Sequence, residues 1–170
     1  MQGLDPFFNH PKRIVGVVHL LPLIGSPRSE LSFSAIGTRA LSDAGTLIDN
    51  GIDGLIVENY GDVPFFPDRV EAHTIAAMAV ITSEIRERYR QVPMGLNVLR
   101  NDAKSALAIA TVTQANFIRV NVHTGAMLTD QDVVQGRAYE TLRYRSTLGS
   151  TVMASSSVHR LDAREPQQTR

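Results

Sequence analysis

The chain contains no cysteine, which removes disulfides, thiolate nucleophiles and any zinc site built on sulfur. Lysine is nearly absent too: Lys12 and Lys104 are the only two, so few positions could form a Schiff base. There is no excess charge of either sign, with 17 basic and 17 acidic residues. Such a chain has no field to attract nucleic acid, and no nucleic-acid partner is expected. Long apolar runs are missing as well. The longest, Ile75 to Ile81, falls far short of the roughly 20 residues that span a bilayer, so no transmembrane segment and at most peripheral membrane association is expected. Met1 to Asn9 lacks the basic start and apolar core of a secretory signal, and the expectation is a soluble, cytoplasmic protein. Neither a Walker loop nor a GxGxxG motif occurs, which argues against the common nucleotide folds, and no cofactor is indicated.

What the chain does have is the balance of a globular domain, 43% hydrophobic and 20% charged over 170 residues. Its pattern alternates strand and helix. Ile14 to Leu20 is short, β-branched and apolar, a strand buried on both faces. A loop with Pro22, Gly25 and Pro27 follows, then a helix from Ser34 to Asn50 stopped by Gly51. Gly54 to Glu58 reads as a second strand and Asp68 to Tyr89 as a long helix. Met94 to Leu99, a helix from Ala103 to Thr113 capped by Asn101 or Asp102, and Phe117 to Val122 continue the series. Thr129, with Asp132 three residues on, is expected to cap a helix running to Leu148, and Thr151 to Ala154 to begin a fifth strand. Four strand–helix repeats imply right-handed crossovers and a parallel α/β sheet, either open and doubly wound or part of a (β/α)8 barrel. A full barrel takes about 250 residues. The expected domain is therefore residues 1–154, a partial TIM barrel of four to five strands. Residues 155–170, rich in Ser and Gln, form a divergent tail expected to be disordered.

Polar residues gather where those strands end. His19 closes the first, Glu58 and Asn59 the second, with Asp62 just beyond. Asn97 interrupts the third, which runs into Arg100, Asn101 and Asp102; Arg119, Asn121 and His123 alternate in the fourth. Carboxyl ends of parallel strands are where such folds bind ligands. Glu58, His19 and His123 are the candidate acid–base groups. Asn59, Asp62, Asn97, Arg100, Asn101, Asp102, Arg119 and Asn121 are the candidate ligand-binding groups. Helix capping competes for Asn101 and Asp102, and a structural ion pair competes for Glu58 and Arg119. The donor and acceptor set suits a small polar or phosphorylated ligand. No HxxxH or paired-acid spacing supports a metal, and neither lysine lies at a strand end.

Four motifs carry a family resemblance: Val18-His-Leu-Leu-Pro-Leu-Ile-Gly-Ser-Pro27, Gly54-Leu-Ile-Val-Glu-Asn-Tyr-Gly-Asp-Val-Pro-Phe65, Gly95-Leu-Asn-Val-Leu-Arg-Asn-Asp-Ala103 and Phe117-Ile-Arg-Val-Asn-Val-His-Thr-Gly-Ala126. In this order they resemble the BtpA/SgcQ family, from about Ile14 to Gly149, with Ile24 where a proline is usual. The resemblance implies a TIM-barrel-like fold. It also implies a role in biogenesis or stability of photosystem I at the thylakoid for cyanobacterial members, or sugar or phosphosugar metabolism for SgcQ-like ones. Beyond Val152 the likeness is expected to lapse, as after a frameshift or early stop. The expectation is then a truncated chain with open sheet edges that forms a homo-oligomer or is an inactive fragment.

Overall fold

The computed structural model describes residues 13–130 and 132–156. Five strands pair in parallel: β1 (Val15–His19), β2 (Gly54–Glu58), β3 (Met94–Asn97), β4 (Phe117–Val120) and β7 (Met153–Ser156). Their spatial order follows chain order, with no reversal. Between them run α1 (Phe33–Asp49), α2 (Ala72–Arg88), α3 (Ala103–Val112) and α4 (Ala138–Thr147), and consecutive helices pack on one another. Sequential parallel strands joined by right-handed crossovers put every helix on the same side of the sheet. This is a run of consecutive barrel-type β/α units; a doubly wound sheet would reverse its order and carry helices on both faces.

Strand alternation sorts the side chains between two faces. Val18 and Leu20, Leu55 and Val57, Met94 and Leu96, and Ile118 and Val120 point to the helices. There they meet Ile36, Ala40 and Ala44 of α1, Met78, Ile81 and Ile85 of α2, and Leu107 and Ala110 of α3. Each of the larger aliphatic side chains here gains about 2 kcal/mol over an exposed position. The opposite, inner face carries His19, Glu58, Asn97 and Arg119. Gly95 also belongs to it, and an added Cβ there would sit 2.2 Å from the buried Phe117 ring, which lies across the glycine.

Helix ends follow local chemistry. Ser32 caps α1, its hydroxyl accepting from Ala35 N–H at 3.2 Å, and Asn50 and Gly51 (φ +82°) close it. Asp102, and not Asn101, caps α3. Helix α2 starts at Ala72, four residues later than its apolar periodicity suggests; Glu71 holds the N-cap in extended backbone, and Val70 N–H just before it donates to Asp102 Oδ2 at 3.0 Å.

One sequence expectation is corrected. No helix starts at Thr129. The segment folds as an antiparallel hairpin of β5 (Ala126–Thr129) and β6 (Asp132–Gln135), and α4 begins only at Ala138. The Thr129 hydroxyl, read as a helix cap, donates to Asp132 C=O at 2.9 Å across the turn, and Asp132 takes φ +86°. Adjacent Val133 and Val134 favour the extended chain, and Gly136 separates them from the helix. The fifth strand runs from Met153 to Ser156; the rest of the tail lies outside the described residues.

Candidate functional site

The pleat brings one row of polar groups together across the inner face. His19 is in register with Glu58, and Glu58 with Asn97. Arg119 of β4 completes the row, its Nη1 at 3.5 Å from Glu58 Oε2. Glu58 is only 5% exposed, yet this oxygen has no hydrogen-bond partner. The Arg119 side chain is a third exposed, so the pair presents its cation outward. Asn97, fully buried, donates from Nδ2 to Asn121 Oδ1 at 3.1 Å. At the β1 side the His19 ring stacks on exposed Tyr60 with centroids 4.3 Å apart. His19, Glu58, Asn97, Arg119 and Asn121 thus lie side by side on the inner face, with Glu58 and Asn97 buried among them.

Other candidates hold the rim in place. Asn59 accepts Leu99 N–H at 2.7 Å on Oδ1 and donates from Nδ2 to Asp62 at 3.1 Å, tying the end of β2 to the end of β3. Asn101 bridges to the segment after β4 by donating to Val122 C=O and accepting Val122 N–H, at 3.0 and 2.8 Å. That exchange substitutes for two strand hydrogen bonds after β4 has ended at Val120. Asp102 accepts from Ser105 N–H, the Ser105 hydroxyl and Val70 N–H. Arg100 lies over the Phe65 ring and pairs with Asp130 at 3.2 Å. His123 is buried, and neither ring nitrogen has a partner; desolvation holds its pKa below the ordinary 6.5. It lines a cleft of about 590 Å³ with Leu142, Arg145, Thr151 and Met153 rather than joining the Glu58 row.

A separate cleft of about 290 Å³ opens between the loops after β1 and β2 and the start of α2. Asp62 and His73 line it beside Ser26, Phe65 and Phe66. Asp62 Oδ1 accepts Leu23 N–H at 2.8 Å, and burial raises its pKa above the usual 3.8 despite that bond. Gly25, at φ +88°, leaves room for the His73 ring, whose Nε2 lies 2.1 Å from where a Cβ would be. Ser26, His73, Tyr60 and Phe66 were not singled out by sequence reasoning. Their signal was positional: each follows the end of β1 or β2, on the side where the loops converge.

Chemically, the inner row offers a buried acid, a guanidinium, two amides and an imidazole, a set able to hold hydroxyl and anionic groups. Among the described residues no group of three or more His, Asp or Glu could hold a metal ion. No helix of the described residues is long and apolar enough to cross a membrane.

A family model described as the BtpA family matches residues 10–168. The chain is 48% identical over 145 residues to the photosystem I biogenesis protein BtpA of Synechocystis, covering 85% of this chain and 50% of that protein. An uncharacterized protein of Pyrococcus abyssi is 44% identical over 148 residues, covering 87% of this chain and 56% of its own length. One from Methanocaldococcus jannaschii is 42% identical with the same coverage. The chain thus spans about half the length of these relatives. Among solved structures, an N-acetylmannosamine-6-phosphate 2-epimerase from Clostridium perfringens aligns at TM-score 0.47 and 12% identity, over 86% of this chain and 53% of the enzyme.

Proposed function

Because the chain belongs to the BtpA family, we propose that it supports the biogenesis or stability of a membrane protein complex, photosystem I where the host has one. The observation that carries this reading is the 48% identity to the Synechocystis protein across 145 residues. The inner face is the part of this chain proposed to act, since Glu58, Arg119, Asn97 and Asn121 are arranged there beyond what strand packing requires. Peripheral contact with the membrane, with the protein otherwise in the cytoplasm, fits this role.

A chimera tests it. Residues 13–150 of this chain replace the matching half of the Synechocystis relative in a strain lacking that relative, and photosystem I content is measured. Recovery to the level given by the native gene is expected. A chimera that accumulates normally but restores nothing overturns the proposal.

One observation favours a second reading, an enzyme of sugar or phosphosugar metabolism. Glu58 Oε2 is buried and lacks a hydrogen bond while a cation stands 3.5 Å away. A ligand hydroxyl would satisfy the acid, and a phosphate would engage Arg119. In that reading Glu58 exchanges protons with the ligand, with His19, its neighbour in register on β1, as the partner group.

A further inference from the structure

The cleft between the β1–α1 and β2–α2 loops is distinct from the Glu58–Arg119 face and has its own chemistry. Most of its wall is apolar, with Phe65, Phe66, Pro27 and Val70 among the lining residues. Its volume of about 290 Å³ admits a small molecule. Into this wall the fold sets the Asp62 carboxylate, whose two hydrogen bonds, from Leu23 N–H and Asn59 Nδ2, both come from neutral donors. A carboxylate has room for about four such bonds. Burial pushes the Asp62 pKa up, and the one charge acting to lower it is His73 on the exposed start of α2. The Ser26 hydroxyl, on the same wall, is buried and has no hydrogen-bond partner.

We propose that this cleft binds a small primary amine with an apolar body, the ammonium held by Asp62 and Ser26 and the body resting on Phe65 and Phe66. An ammonium supplies what each polar group lacks: a counter-charge for the desolvated acid and a donor for the orphaned hydroxyl. An anion is disfavoured, because the Asp62 carboxylate lines the cleft. The glycine at position 25 keeps His73 folded against the loop, so the ring forms part of the wall.

Isothermal titration of the full chain with phenethylamine tests the proposal, with 3-phenylpropionate as the anion of similar shape. Saturable binding of the amine and none of the anion is expected. Asp62→Asn retains an acceptor for Leu23 N–H and is expected to weaken amine binding on the order of tenfold or more. Phe66→Ala, at an exposed wall position, is expected to weaken it several-fold, and Glu58→Gln to leave it unchanged. No heat with the amine, equal affinity in Asp62→Asn, or preference for the anion overturns the site. Should Asp62→Asn fail to fold by circular dichroism, unchanged affinity in Phe66→Ala overturns it instead.

Discussion

Glu58 and Arg119 form an ion pair whose two members are unequally exposed. Glu58 is buried at 5% exposure while its partner is a third exposed, so the two cannot be replaced symmetrically. Arg119→Met leaves a buried carboxylate without its cation and is expected to cost about 2 kcal/mol. Glu58→Gln removes the charge that needs compensation and is expected to cost less than about 1 kcal/mol. Urea unfolding of the two variants decides the matter, and equal losses would show that the pair does not carry the asymmetry argued here. His123 provides a second residue-scale test. Its native pKa lies below 6.5 because burial disfavours the imidazolium. The unfolded chain therefore takes up a proton before the native chain does, and the stability this neutral histidine contributes above its unfolded pKa is lost as pH falls through its native value. Melting temperatures compared between about pH 7.5 and about pH 5 should fall more steeply for the wild type than for His123→Leu, which has no such group to titrate. Parallel curves would contradict the assignment.

At the scale of elements, the rim is held by side chains that replace backbone bonds. Asp102 serves two hydrogen bonds to Ser105 and one to the chain before α2, so Asp102→Ala is expected to cost about 3 kcal/mol. Ser32→Ala removes one exposed cap bond and is expected to cost about 1 kcal/mol. Chemical denaturation of both variants checks the ordering. Packing across strands has an equally local test: Gly95→Ala drives a methyl into the Phe117 ring and is expected to destabilise by about 2 kcal/mol or more. Much of this layer was legible in the sequence. Strands β1 to β4 announce themselves as β-branched or apolar runs, and Asn50-Gly51 marks the end of α1. The hairpin was not legible, because Thr129 and Asp132 satisfy a helix-capping pattern as readily as a turn. Only the pairing of Met127 with Val134 and Leu128 with Val133, a contact between strands, decides between them. Asn59 and Asn101 were visible as rim residues, but their use as backbone bridges depends on contacts 40 and 21 residues away in the chain. Spacing along one segment cannot reveal such contacts.

For the whole molecule, sequential strand order and helices on a single side make this chain a continuous sector of a β/α barrel-type fold. The inner face of that sector collects one polar group from each of β1 to β4. Strand alternation alone accounts for their shared direction, but not for their being polar. Apolar side chains at those four places would bury more surface without an ion pair or an unpartnered acid. The archaeal relatives, at 42–44% identity, stand nearly as close as the Synechocystis protein, so a role common to the family must rest on chemistry that these chains share. The most direct measurement joins that face to the proposed role: photosystem I content in Synechocystis carrying the chimera with Glu58→Gln, compared with the unmodified chimera. Restoration by the unmodified chimera and loss of it in Glu58→Gln, at equal protein level, is expected. Full restoration by the Glu58→Gln chimera would contradict a functional inner face.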